Sequence, residues 1–243
     1  MKVSQKVLAG AVAASLCLGL VALSGCSGGS GSSSSAASSA SSNASSTASQ
    51  AAAAGTRQFS DDELLSGKHN VVMQVEGYDP ITIELDADAA PQTVTNFVDL
   101  VKSGYYDGKT FYRIVEDFCL QGGTLGNNAS GNDSSLENIQ GEFSSNGIDN
   151  ALADEFGRGT VAMARTNMPN SATSTFFVTL GDNAQVGPSL DGKYAAFGTI
   201  SEADMAIIDA IVADFAANVD EPQMGAISDE AKQPVITSIT LVD

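Results

Sequence analysis

From residue 71 onward the chain is divided into short apolar runs, and this division limits the fold more than any other feature of the sequence. The runs are rich in β-branched and aromatic residues and are separated by Gly, Asn, Asp, Ser and Pro, a pattern typical of strands joined by turns. They cover residues 71–75, 81–85, 110–114, 118–121, 159–164, 176–180, 195–200 and 235–242. The first two runs flank a turn at 77–80, so we expect them to form a hairpin.

Only two segments have the spacing of an amphipathic helix. The first covers 91–103, with Pro91 at its first position and Gly104 closing it. The second covers 202–217 and begins after Ser201, a suitable N-cap. Eight short strands and two helices predict a mainly β fold, a closed eight-stranded antiparallel barrel capped by two α-helices.

The amino end has the features of an export signal. Lys2 and Lys6 precede an apolar stretch at 7–23, which ends in Leu-Ser-Gly before Cys26. This order resembles the lipobox of bacterial lipoproteins, in which the Cys becomes the acylated first residue. We therefore predict a signal peptide, a lipidated Cys26 and an extracytoplasmic domain anchored by lipid to a bacterial cell membrane. An uncleaved apolar anchor is the alternative, and it too places the domain at a membrane surface.

Residues 27–54 are nearly all Ser, Ala and Gly, and such a segment cannot bury a hydrophobic core. We divide the chain into a signal peptide at 1–25, the lipidated Cys and a flexible linker at 26–56, and one folded domain at 57–243.

Composition excludes several functions. The chain has 11 Lys and Arg against 29 Asp and Glu, a net charge of −18, which disfavours nucleic-acid binding. A single His disfavours a Ser-His-Asp triad or a multi-His zinc site. Cys119 lies between apolar neighbours, so we expect a buried and unreactive thiol. The sequence predicts no metal and no cofactor, and nothing in it demands more than a monomer.

Five blocks of the folded part carry a more specific signal. They are 96–113, 118–123, 159–165, 169–177 and 190–198. In this order they resemble the cyclophilins, a family of peptidyl-prolyl cis/trans isomerases, and the resemblance spans about 71–242. It implies an eight-stranded antiparallel barrel with two helices and isomerisation of X–Pro bonds without a nucleophile, metal or cofactor.

The resemblance also implies the site residues. Arg113 matches the catalytic arginine, which would donate to the proline nitrogen in the twisted transition state. The substrate-binding residues would be Phe118, Cys119, Gln121, Ala164, Arg165, Thr175, Phe177, Leu190 and Tyr194. Phe177 is chosen over Phe176 because neighbours in a strand face opposite sides.

Several positions depart from the family pattern. Thr175 stands where many members have Gln, Cys119 replaces a common Met, and Arg165 stands where Asn is common. Tyr112 and Tyr194 each replace a His. We expect these changes to weaken binding of the immunosuppressive cyclic peptide that gave the family its name.

Two functions remain open at this stage. The first is isomerisation of X–Pro bonds in exported or unfolded polypeptides, whose proline-containing segments would be the partners. The second is a non-catalytic chaperone or adhesion lipoprotein that binds such segments in the same groove. Arg113 favours the enzyme, because binding alone would not demand that arginine.

Overall fold

The computed structural model describes residues 56–129 and 133–243. The predicted signal peptide, Cys26 and all of the predicted linker except residue 56 lie outside the described residues. Across the two described ranges, no helix combines the length and the apolar character needed to cross a bilayer.

Eight strands form one sheet in which every pairing is antiparallel. They are β1 (Lys68–Val75), β2 (Ile81–Asp86), β3 (Phe111–Val115), β4 (Cys119–Gly122), β5 (Thr160–Met163), β6 (Phe176–Thr179), β7 (Ala196–Ile200) and β8 (Ile236–Leu241). Their order across the sheet is β3-β4-β6-β5-β7-β2-β1-β8. Each predicted run contributes a strand, and β1 and β2 form the expected hairpin.

The prediction of a closed barrel is wrong, because the sheet curls without closing fully. Its edge strands β3 and β8 are not joined by a ladder, and the chain links the two edges at an isolated bridge between Thr110 and Val235. A loop occupies the free edge of β3: Ile114 N donates to Gly225 O at 2.8 Å, and Ile227 N donates to Tyr112 O at 2.9 Å. These backbone groups are therefore unavailable to β8.

The described ranges contain four α-helices where the sequence predicted two. They are α1 (Pro91–Lys102), α2 (Ala151–Asp154), α3 (Asn183–Leu190) and α4 (Glu202–Phe215). The predicted helices correspond to α1 and α4, and Ser201 caps α4 as expected by accepting from Asp204 N. Ser103, rather than Gly104, is the C-cap of α1, and Gly104 follows it in the left-handed region at φ +71.

Two features hid the additional helices. Helix α2 has four residues, too few to show a periodic stripe. Helix α3 contains Gly187 and Pro188, which ordinarily end a helical pattern. A capping box between Asp182 and Gln185 stabilises its first turn nevertheless.

The apolar side chains divide into two clusters, and β6 contributes to both. Phe176 lies in the main core, where its ring meets those of Phe97 and Tyr106 edge to face at 5.7 and 5.6 Å. Phe177 points to the opposite face and packs with Phe156 and Leu190 in the smaller cluster. Alternation along one strand thus builds an apolar wall outside the main core.

Helix α1 is capped from a distant loop. Ala90, its N-cap residue, makes no side-chain cap. The buried carboxylate of Glu142 accepts from Gln92 N at 3.0 Å and from Thr93 N at 2.8 Å. Phe143, next to it, is also buried, which holds the long loop before α2 against the domain.

Candidate active site

Strands β3 and β4 place Arg113 directly opposite Gln121. Side chains in such a cross-strand pair lie on one face of the sheet and can meet. Nη1 of Arg113 donates to Gln121 Oε1 at 3.0 Å and contacts Cys119 Sγ at 2.9 Å. Nε donates to the carbonyl oxygen of Met224 at 2.7 Å.

These contacts divide the donors of the Arg113 guanidinium. Nε and Nη1 are engaged by the protein, whereas no hydrogen bond of Nη2 occurs within the part of the chain that the structure describes. The plane of a guanidinium is rigid, so fixing two of its nitrogens also fixes the direction of the third. Nη2 is therefore aimed and available for a ligand.

Tyr112 supports this arrangement from behind. Its hydroxyl oxygen accepts from Gln121 Nε2 at 2.5 Å, which turns Gln121 Oε1 toward Arg113. The β3–β4 register shifts between Phe111 and Arg113, and such a bulge re-aims neighbouring side chains. Burial raises the pKa of Tyr112, so the phenol stays protonated at neutral pH. Sequence reasoning identified Tyr112 as a departure from the family but did not assign it to the site.

Nine of the ten predicted site residues line one cavity of about 160 Å³. They are Arg113, Phe118, Cys119, Gln121, Ala164, Arg165, Phe177, Leu190 and Tyr194. The rings of Phe177 and Tyr194 meet edge to face at 5.6 Å. Cys119 is buried, and this burial raises its pKa to about 11, so the wall it forms is a neutral thiol.

Thr175 lines a neighbouring cavity of about 210 Å³ instead. Gln121, Ala164 and Arg165 border both cavities. The Thr175 hydroxyl is buried, and no hydrogen-bond partner for it is found in the described ranges. The structure therefore separates Thr175 from the pocket that holds the other predicted residues.

Ala164 and Arg165 directly follow β5, which places Arg165 at the pocket rim. Its Nε and Nη2 donate to the carbonyl oxygen of Lys193 at 2.9 and 2.7 Å, and Nη1 donates to Thr166 O at 2.9 Å. The guanidinium carbon also lies 4.6 Å from the centre of the Tyr194 ring. The side chain is half-buried and is held in one position.

The pocket combines an apolar floor with hydrogen-bond donors, and the thiol of Cys119 in its wall is buried and neutral. No cluster of three or more His, Cys, Asp or Glu capable of holding a metal ion occurs in residues 56–129 and 133–243. Such an arrangement can bind an apolar ring and stabilise charge that develops beside it.

Comparisons with known proteins agree with this geometry. The family model for cyclophilin-type peptidyl-prolyl cis-trans isomerases matches residues 70–239. A peptidyl-prolyl cis-trans isomerase of Streptomyces antibioticus is 43% identical over 135 residues, which are 54% of this chain and 76% of that relative. One from Acinetobacter baylyi is 38% identical over 156 residues, 64% of this chain and 76% of that relative.

Solved structures share the fold. A cyclophilin-type isomerase of Cryptosporidium parvum superposes with a TM-score of 0.56 and 22% identity, over 73% of this chain and 99% of that one. A second structure of that protein was solved in the presence of the dipeptide Ala-Pro. The family match covers most of the chain and includes every residue around the pocket, so this chain belongs to the cyclophilin-type peptidyl-prolyl cis-trans isomerase family.

Proposed function

We propose that this isomerase acts on X–Pro bonds of exported polypeptides and that Arg113 is its catalytic residue. The observation that carries the proposal is the Arg113 guanidinium, fixed through Nε and Nη1 beside an apolar pocket with Nη2 free to donate. Relatives named peptidyl-prolyl isomerases support the reaction class.

The reaction needs no bond to a nucleophile. Amide resonance sets a barrier of about 18–20 kcal/mol to rotation about the X–Pro bond, and the uncatalysed reaction takes about 10–100 s. As the bond twists, the proline nitrogen leaves conjugation and gains a localised lone pair. A donor aimed at that nitrogen binds the twisted state better than either planar state. One such donor is typically worth about 3–4 kcal/mol.

The pocket would supply the positioning. We place the pyrrolidine ring of the substrate against Phe118, Phe177 and Leu190, which are the apolar residues of the lining. The substrate backbone would run beside Ala164 and Arg165, and Gln121 would hold both Arg113 and the substrate. We propose a monomer as the active form.

The decisive experiment compares Arg113→Ala with the wild type in a proline-peptide isomerisation assay. We expect kcat/KM to fall about 100-fold or more, because the aimed donor is lost. Arg57→Ala removes another arginine, one that pairs with Asp99 away from the pocket, and serves as the matched control. Circular dichroism checks that the fold is retained. Unchanged turnover in Arg113→Ala would refute the assignment.

The same assay tests the alternative, a non-catalytic chaperone or adhesion lipoprotein. Thr175 and Cys119, which depart from the family pattern, favour that alternative. It predicts that the wild type binds proline peptides without accelerating their isomerisation. Membership of an isomerase family favours catalysis.

The cellular setting is also a proposal. The charged start, the apolar stretch and Cys26 support a bacterial lipoprotein whose domain faces the outside of the cell membrane. Proline isomerisation can limit folding, and exported chains fold on that side of the membrane. Exported polypeptides are therefore the substrates that such a location would supply.

A further inference from the structure

The four arginines of the chain divide into two pairs with different surroundings. Arg57 Nη2 lies 2.5 Å from Asp99 Oδ2, and Arg158 Nη2 lies 2.7 Å from Asp209 Oδ2, so both arginines have carboxylate partners. Arg113 and Arg165 have no ion pair within the described ranges. Both of these unpaired arginines line the same pocket. In a chain of net charge −18, this concentrates uncompensated positive charge at one place.

Neutral groups hold Arg165 without cancelling its charge. Its three hydrogen bonds to the carbonyl oxygens of Lys193 and Thr166 use three of the five N–H donors. The rings of Tyr194 and Phe143 lie 4.6 and 5.1 Å from the guanidinium carbon and restrict it further. The side chain is therefore ordered before a ligand arrives, which lowers the entropic cost of binding one.

The position of Arg165 determines what it can meet. It borders both the proline pocket and the neighbouring cavity, and no Asp or Glu lines either one among the residues that the structure describes. A carboxylate entering beside the proline would meet the two remaining N–H donors of Arg165 and the uncompensated positive charge of its guanidinium.

We infer that the pocket selects X–Pro segments with an Asp or Glu side chain immediately before or immediately after the proline, and that Arg165 makes this selection. The inference rests on the proposed function and names its preferred substrate class. A guanidinium suits this task because its planar fork matches the two oxygens of a carboxylate.

The test uses matched peptides that differ only in Glu or Gln. One pair carries the change immediately before the proline, and a second pair carries it immediately after. For the full-length wild type we expect kcat/KM to be about threefold to tenfold higher for Glu in at least one pair, as befits a partly exposed ion pair. We expect this ratio to approach one at 1 M NaCl, where screening is strong.

Variants assign the selection to a residue. In Arg165→Gln the Glu-to-Gln ratio should fall to about one, and the ratio within one variant cancels any common loss of activity. Lys232→Gln makes the same change in net charge away from the pocket, on a lysine paired with Asp229, and should retain the wild-type ratio.

The outcomes separate the inference from the proposed function. A wild type that accelerates no peptide contradicts the proposed function. A wild type that turns over Glu and Gln peptides equally in both pairs overturns the inference alone. Selection that survives Arg165→Gln also overturns it. Equal loss of selection in Lys232→Gln would assign the effect to net charge and overturn it as well.

Discussion

At the scale of single residues, the guanidinium of Arg113 depends on acceptors from separate parts of the chain. Cys119 and Gln121 come from β4, and the Met224 carbonyl comes from the loop before β8. An arginine side chain has many rotamers, and confining it costs entropy. Groups that confine it in the free enzyme have already met that cost, so they would contribute to turnover in addition to any contact they make with the substrate.

Tyr112→Phe tests one such group. Without the Tyr112 hydroxyl, Gln121 Nε2 loses its acceptor, and the amide is free to turn its oxygen away from Arg113. We expect kcat to fall about threefold to tenfold, the effect of one lost hydrogen bond, with KM nearly unchanged. Steady-state kinetics on a proline peptide measures both constants.

The double variant Tyr112→Phe with Gln121→Ala provides the control. If Tyr112 acts only through Gln121, the double variant should be no slower than Gln121→Ala alone. Additive losses would contradict the positioning role and indicate that Tyr112 contacts the substrate.

The pocket residues were predictable because they lie in contiguous motifs, and strand alternation distinguished Phe177 from Phe176. The Met224 carbonyl could not be predicted. Any residue at position 224 would supply the same backbone oxygen, so the identity of Met224 carries no signal. The donor, Arg113, lies 111 positions away in the sequence. Thr175 was predicted to be a substrate-binding residue from its motif, and it lines the adjacent cavity.

At the scale of elements, Glu142 shows how a loop can complete a helix. The first N–H groups of any helix lack partners within the helix. In α1 the Glu142 carboxylate accepts from two of them, where its negative charge also meets the positive end of the helix dipole. This contact joins the long loop before α2 to the first turn of α1.

We expect Glu142→Gln to lower the free energy of unfolding by about 1–2 kcal/mol at pH 7, the usual cost of losing a helix cap. An amide offers one acceptor oxygen, so its NH₂ group would face a backbone donor. Urea denaturation measures the change. Glu137→Gln alters an exposed carboxylate on the same loop and should change stability by less than about 0.5 kcal/mol. Equal stability of Glu142→Gln and wild type would contradict the capping role.

The difference in the free energy of unfolding between the wild type and Glu142→Gln should depend on pH. Burial raises the pKa of Glu142 above its ordinary value of 4.5, so the folded state holds the proton more tightly than the unfolded state. The folded form therefore loses stability as pH rises from 4.5 through the raised pKa. The gap between wild type and Glu142→Gln should be larger near pH 4.5 than at pH 7.

Among the elements, the strands and the two long helices follow from periodicity. Whether the sheet closes could not be predicted from periodicity, because pairing at an edge strand depends on which segment of the chain reaches that edge. The loop at 225–227 bonds to β3 where the barrel prediction required β8.

At the scale of the whole molecule, net charge and the proposed membrane attachment act in opposite directions. A net charge of −18 is repelled by anionic lipid, so attachment to a bacterial membrane requires a tether. Lipid chains on Cys26 would supply it, at roughly 0.8 kcal/mol per buried CH₂ group.

Cys26→Ser tests this tether. In a bacterial host we expect the wild type to incorporate labelled palmitate and to sediment with membranes, and Cys26→Ser to lose the label and the membrane association. Cys17→Ser should behave as the wild type, because Cys17 lies within the predicted signal peptide. A Cys26→Ser protein that still sediments with membranes would favour the uncleaved apolar anchor.

The Met224 carbonyl has a consequence for the order of events during synthesis. Ribosomes make a protein from its amino end. The residue that supplies the acceptor for Arg113 Nε is therefore added 111 positions after Arg113 itself. A nascent chain that stops short of Met224 can pair β3 with β4, yet its arginine lacks one of the contacts that direct it. The proposed catalytic orientation of Arg113 therefore requires that synthesis has passed residue 224.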